Sequence, residues 1–253
     1  MPAFMAETGL PLWTEITTTD MAKAQHFYKE VFGWDFVSPN ETEDYFFAQA
    51  QGMPVAGLNQ GGNSAGIITY FNTLNLEADV EKAQSLGAEL LIEPTDYNRG
   101  RAAVLLDPAG ALFGLMESRQ EEDFVAAGEP GTPVWYELYA TTPVSQFYKE
   151  LLGWDCESPT GDYTVASRDG GAFAGILTTT NVPTSVWFTY FGVKSIDAAI
   201  NAATLAGGQV MSGPEVNEFG IIASVTDPAG TVIILCEVAP WEEDAHEGDS
   251  VLD

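Results

Sequence analysis

Basic side chains are scarce in this chain, whose 253 residues include nine Lys and Arg against 37 Asp and Glu, a net charge of −28. Nucleic-acid binding draws most of its sequence-independent affinity from Lys and Arg neutralising phosphates. DNA and RNA are therefore not expected partners, nor, for the same reason, are anionic membranes. The carboxylates read as a solvated, self-repelling surface suited to solubility or to high salt. Long apolar runs are also missing, and the first residues, MPAFMAETG, lack the basic-then-apolar order of a signal peptide. Both point to a soluble, cytoplasmic protein. Cysteine is confined to Cys156 and Cys236, too sparse for a disulfide framework or a CxxC metal knuckle, so free thiols are expected. Histidine is confined to His26 and His246. Zinc, iron and nickel centres normally recruit imidazole or thiolate together with carboxylate, and little of either is available.

What the chain does have is a repeat. PLWTEITTTDMAKAQHFYKEVFGWD, from Pro11, returns as PVWYELYATTPVSQFYKELLGWD, from Pro133, two residues shorter before its Phe-Tyr pair. ITYF ending at Phe71 returns as FTYF ending at Phe191, and LLDPAGALFGLME ending at Glu117 returns as SVTDPAGTVIILCE ending at Glu237, an offset of about 120 residues. Two homologous domains follow, 11–117 and 133–239. They are flanked by an N-terminal tail over 1–10, a charged, Gly- and Pro-containing linker over 118–132, and an acidic C-terminal tail over 240–253. At 45% apolar, the chain can bury two ordinary cores.

Within the first copy, Leu12 to Thr17 alternates as a half-buried strand does. Asp20 sits where a helix N-cap belongs. Ala24, Phe27, Tyr28 and Val31 then form one apolar face, and Gly33 ends the helix. Strands are expected near Tyr45–Ala48, Val55–Asn59, Ile67–Phe71, Glu89–Ile92, Ala102–Leu106 and Ala111–Met116, with a second helix from about Ala78 to Leu86. Asp-Pro-Ala-Gly at 107–110 and at 227–230 suits a type I turn closing the last hairpin. The unit is β-α-β-β-β, used twice per copy.

Strand, Asp20, Phe27-Tyr28, Phe32-Gly33-Trp34 and the Asp-Pro-Ala-Gly hairpin together resemble the vicinal oxygen chelate superfamily of glyoxalases, bleomycin-resistance proteins and extradiol dioxygenases. The resemblance covers about Leu10 to Ala239. It implies an α+β fold of four βαβββ modules forming two tandem glyoxalase/bleomycin-resistance/dioxygenase-type domains with open, curved sheets. It looks most like the bacterial tandem-domain members described as glyoxalase-like proteins or hydroxylases. The family's enzymes usually hold a divalent metal with His and Glu side chains projecting into the sheet's cup. Here the corresponding positions fall on Trp13 and Trp135, near Ile68 and Phe188, on Gly114 and Ile234, and around Ala56–Leu58 and Ala174–Ile176. None is a metal ligand, so no metal or other cofactor is expected and extradiol chemistry is disfavoured.

Side chains alternate across a strand, so if Trp13 faces the cup, Pro11, Glu15 and Thr17 do too, as do Trp135, Glu137 and Tyr139 in the second copy. By the same parity Tyr70, Tyr190, Met116 and Cys236 join them. Glu15 and Glu137 are candidate acid/base residues, because burial disfavours a carboxylate's charged form and raises its pKa. The alternative is that each simply accepts structural hydrogen bonds. Trp13, Tyr70, Met116, Trp135, Tyr139, Tyr190 and Cys236 are candidate ligand-binding residues, with the tryptophans as stacking surfaces or plain core. Arg99 and Arg101 either hold an anion at the first cup's mouth or pair with surface carboxylates. Three functions remain open: metal-independent binding of a small, largely apolar or aromatic molecule; a metal-independent lyase, isomerase or cyclase, or a residual glyoxalase-like enzyme, using Glu15 or Glu137; and a scaffold that binds nothing.

Overall fold

The computed structural model describes residues 3–5, 7–39, 43–119, 124–217 and 220–238; the acidic tail with His246, and part of the linker, lie outside them. A short strand β1 (Ala3–Met5) precedes the first copy. The copy then runs β2 (Pro11–Thr18), α1 (Met21–Phe32), β3 (Asp35–Val37), β4 (Tyr45–Ala50), β5 (Met53–Gln60), β6 (Gly66–Asn72), α2 (Leu76–Ser85), β7 (Glu89–Tyr97), β8 (Gly100–Leu106) and β9 (Leu112–Ser118). In the linker, β10 (Phe124–Ala126) pairs antiparallel with β1. The second copy repeats the order: β11 (Pro133–Ala140), α3 (Ser145–Leu152), β12 (Asp155–Thr160), β13 (Tyr163–Arg168), β14 (Gly171–Thr178), β15 (Val186–Val193), α4 (Ile196–Leu205), β16 (Gln209–Asn217), β17 (Gly220–Thr226) and β18 (Val232–Glu237).

The fold is α+β, with two similar eight-stranded mixed sheets ordered β3-β4-β5-β2-β6-β9-β8-β7 and β12-β13-β14-β11-β15-β18-β17-β16. The central pair, β2 with β6 or β11 with β15, is antiparallel and is flanked on each side by a parallel neighbour. Helix α1 starts where Asp20 accepts a hydrogen bond from the Lys23 backbone N–H, and it stops at Gly33, whose φ of 72° is left-handed. Helix α2 begins ahead of its expected start at Ala78, because Asn75 caps it by accepting from the Ala78 N–H. The two-residue deletion in the second copy leaves α3 with eight residues and no side-chain cap.

The cores on the helix sides of the sheets are shared between the copies. One cluster joins Phe71, Val80, Phe113 and Leu115 of the first copy to Tyr136, Tyr148, Trp154 and Trp187 of the second. Another joins Ile16, Phe27, Tyr28, Trp34 and Leu58 to Phe191, Ile196, Ala203 and Leu235. The sheets thus turn their helix-bearing faces toward each other, with α1 against α4 and α2 against α3. An amphipathic helix lying on one sheet still has apolar flank to cover, and here the other copy covers it.

The repeated aromatic residues bridge the copies reciprocally. Trp34 Nε1 donates to the Gly131 carbonyl (2.8 Å), and Trp154 Nε1 donates to the Gly9 carbonyl (2.7 Å). Tyr28 Oη donates to Asp227 (3.0 Å), and Tyr148 Oη donates to Asp107 (2.8 Å). Each buried ring therefore has its polar atom satisfied. The turn aspartates do more than the turn requires: Oδ1 of Asp107 takes the Ala109 and Ala111 N–H groups, leaving Oδ2 for the tyrosine.

Candidate functional site

Opposite the helices, each sheet presents an inner face, the cup. Residues paired across neighbouring strands share a face. Trp13 pairs with Tyr70, Glu15 with Ile68 and with Gly57, and Tyr70 with Gly114, which places all six on one side. The second copy pairs Trp135 with Tyr190, Glu137 with Phe188 and with Gly175, and Tyr190 with Ile234. Parity fails at one point. The register shifts between Pro11 and Trp13, so Pro11 pairs with Phe71 of the helix-side core instead of facing the cup; Pro133 does the same with Phe191. A bulge inserts one residue and flips the face of everything before it.

The first cup is filled. Leu12, Trp13, Ile68, Tyr70, Ala102, Val104 and Met116 form a buried cluster with Phe47 and Tyr97 against it. Glu15, 1% exposed, sits in this cluster. It accepts from Trp13 Nε1 (3.0 Å), Tyr45 Oη (3.1 Å) and Asn59 Nδ2 (2.9 Å), and from the Tyr97 hydroxyl. Burial nevertheless raises its pKa, with those hydrogen bonds opposing. Glycine at 57 is what makes room: a Cβ there would lie 2.1 Å from Glu15 Oε2 and 2.4 Å from Tyr45 Oη. The Arg99 guanidinium lies 4.3 Å from the centre of the Trp13 ring, a cation–π contact. Arg101 instead pairs on the surface with Glu77 and Glu117.

The second cup is open. A cavity of about 300 Å³ is walled by Val134, Trp135, Glu137, Tyr139, Tyr190, Ile222, Cys236 and Val238. An adjoining depression of about 310 Å³ shares Tyr139, Tyr190 and Ile222 and adds Phe188, Met211, Glu215 and Ile234. Glu137 accepts from Tyr163 Oη (3.1 Å) and from Tyr190 Oη. Gly175 repeats the role of Gly57, since a Cβ there would meet Tyr163 Oη at 2.1 Å. Burial and the nearby Glu137 charge push the Tyr163 and Tyr190 hydroxyls far above a phenol's usual range, so both stay protonated. Cys236 is a buried free thiol whose pKa is raised by burial. That is the opposite of what an activated nucleophile needs.

The difference between the cups follows from aligned positions. Phe47 of the first copy corresponds to Val165 and Met116 to Cys236, so the second cup lacks ring and chain volume that plugs the first. Five of the sequence-expected residues, Trp135, Glu137, Tyr139, Tyr190 and Cys236, meet on one cavity. The other four, Trp13, Glu15, Tyr70 and Met116, meet inside the closed cup. Sequence reasoning missed Tyr163, Tyr45, Asn59 and Glu215. Tyr45 and Asn59 meet across β4 and β5, a pairing that no local pattern in the sequence fixes.

A larger hollow, about 400 Å³, lies between the end of α1 and the start of α4. Glycine and alanine make up about half of its lining, with Glu30, Gln51, Lys194 and Ser195 among the rest. The donor set of the cups does not fit a divalent transition metal. The family's ligand positions carry Trp, Ile, Phe and Gly, and on β5 and β14 the inward position is Gly57 or Gly175. Among the described residues no three His, Cys, Asp or Glu converge. His26 is exposed on α1, on the helix side.

Inward-facing sites on paired, mixed eight-stranded sheets built from repeated strand–helix–three-strand units are the arrangement of the vicinal oxygen chelate superfamily, to whose glyoxalase-like members the chain is similar. The profile of the glyoxalase-like domain matches residues 13–116. Among relatives, CFP32 of Mycobacterium tuberculosis, named as a glyoxylase, is 28% identical over 92% of this chain and 97% of its own. The anthracycline biosynthesis protein DnrV of Streptomyces peucetius is 27% identical over 91% and 94%. Among solved structures, the Mn(II)-bound glyoxalase of Novosphingobium aromaticivorans superposes with a TM-score of 0.65 at 16% identity, over 93% of this chain and 83% of that one. The 2,3-dioxygenase LapB of Pseudomonas sp. KL28 superposes at 0.63 and 16%, over 94% of each. At that identity the structures support the fold alone.

Proposed function

We propose that this protein binds a small, largely apolar, aromatic molecule in its second cup without a metal, and that its four βαβββ modules form two tandem glyoxalase-type domains of which one retains an open site. The observation that carries this reading is the contrast between homologous cups. Equivalent strands enclose a solid cluster in one copy and, in the other, a cavity walled by Trp135, Tyr139 and Tyr190. Concave, mostly apolar surfaces with a few convergent polar groups are the usual form of small-molecule sites. Two relatives named for anthracycline biosynthesis, anthracyclines being fused-ring aromatic compounds, support the ligand class. Trp13, Glu15, Tyr70 and Met116 act in this reading as the plug of the first cup.

The second reading is an enzyme, favoured by the Glu137–Tyr190 pair on the cavity wall, in which a carboxylate beside a protonated phenol could move a proton to and from a bound molecule. One experiment separates the readings. Titration with fused-ring aromatics, followed by tryptophan fluorescence and native mass spectrometry, is expected to give one site per chain, abolished by Cys236→Trp. If any bound compound changes with time, Glu137→Gln should slow that change roughly 100-fold or more while binding persists. Binding unaffected by Cys236→Trp overturns the placement in the second cup. No binding by any aromatic compound leaves the scaffold reading.

A further inference from the structure

The second cup combines aromatic faces with two carboxylates and no basic side chain. A hydroxyl has one proton to give and two lone pairs to offer. Tyr163 and Tyr190 both give their protons to Glu137. Tyr139 lines the same wall beside Tyr190. Ser212 and Ser224, on the wall of the adjoining depression, bond to each other at 2.7 Å. Two of the cup's phenol protons are thus turned onto its own carboxylate, and the phenol oxygens keep lone pairs to offer. A second carboxylate, Glu215, lines the far end, close enough to Tyr139 to act on its hydroxyl. No Lys, Arg or His lines either hollow.

We infer that the second cup selects an aromatic molecule carrying a hydrogen-bond-donating cation, a protonated amine. Its ring system lies against Trp135, Tyr139 and Tyr190, and its ammonium faces Glu215 and the acceptor lone pairs. This rests on the aromatic-binding reading and adds the charge of the ligand to it. Three features act together. Aromatic faces attract cations through the ring quadrupole. Donors from a charged group make the stronger hydrogen bonds. The chain's charge of −28 concentrates cations and repels anions near its surface. An anionic ligand would meet the carboxylates of Glu137 and Glu215 with no basic side chain to offset them.

The test uses three probes of one shape: 2-naphthylmethylamine, 2-naphthalenemethanol and 2-naphthoate, titrated calorimetrically into the full chain at neutral pH and moderate salt. The amine is expected to bind roughly tenfold tighter than the alcohol, and the carboxylate weakest. Glu215→Gln, an exposed and structurally mild change, should narrow the amine-to-alcohol ratio, and Glu137→Gln should narrow it further. Glu150→Gln on the exposed side of α3, beyond the sheet from the cup, controls for the general field and should leave the ratio intact. Equal binding of amine and alcohol, or a ratio that Glu150→Gln reduces as much as Glu215→Gln, overturns the charge preference and leaves the aromatic cup standing. Failure of all three probes, the neutral alcohol included, overturns both.

Discussion

Glu15 is a carboxyl held by four donors inside an apolar cluster, and the two influences oppose each other. Burial prevails and lifts its pKa above the ordinary 4.5. A group whose folded pKa is raised contributes stability that is complete below the unfolded value and is lost as pH rises through the folded one. Glu15→Gln keeps the shape but turns an amide toward donors it cannot satisfy, which costs about 1–3 kcal/mol when a buried group loses its partner. The deficit of Glu15→Gln relative to the parent should therefore be largest near pH 4.5 and narrow toward pH 8, measured by urea unfolding at each pH. A deficit that widens with pH would mean that Glu15 is ionised and well stabilised in the fold. Much of this residue's setting was legible in the sequence, because strict alternation along β2 put Glu15 beside Trp13 on the inner face. The identity of its donors was not legible, since Tyr45 and Asn59 come from strands whose register no local pattern fixes.

At the scale of elements, the reciprocal aromatic bridges are equal in design and unequal in connection. Tyr148 Oη donates to Asp107 and also accepts from Trp187 Nε1 at 2.8 Å, whereas Tyr28 Oη meets Asp227 alone. Phenylalanine in place of either tyrosine leaves a buried carboxylate oxygen without its donor, and at 148 it also strands an indole N–H. Tyr148→Phe should thus destabilise by about 2–4 kcal/mol and Tyr28→Phe by about 1–3 kcal/mol, compared by chemical denaturation. Equal losses would show that the indole finds another acceptor. The strands and helices themselves were largely readable, because Asp20, Gly33 and the Asp-Pro-Ala-Gly turns act locally. The bulge before Trp13 and Trp135 was not, since it depends on the pairing with β6 and β15. Nor was the sharing of cores, because periodicity marks which face of a helix is buried but not whose side chains bury it.

For the molecule as a whole, the charge of −28 is countered by few ion pairs, and those described are on the surface, such as Lys23 with Asp20 and Lys29 with Asp35. Exposed pairs contribute little, so repulsion among the carboxylates remains. Salt screens exposed charges over about 10 Å at 0.1 M. The melting temperature should climb as sodium chloride is raised from 50 mM toward ~1 M, followed by scanning calorimetry, and a flat curve would show that the acidic groups are already compensated. Because both helix-side cores draw on both copies, the calorimetric trace should hold one transition and not two. The same sharing carries a consequence for descent. A half-length chain with these faces would expose the flanks of both helices, and its simplest remedy is to pair with its twin about a two-fold axis, Trp to Gly and Tyr to Asp across the seam. Joining two such halves end to end preserves every one of those contacts and frees the inner faces from having to match. From then on a substitution in one cup no longer appears in the other, so one can solidify into ballast while its sibling keeps a vacancy for a guest.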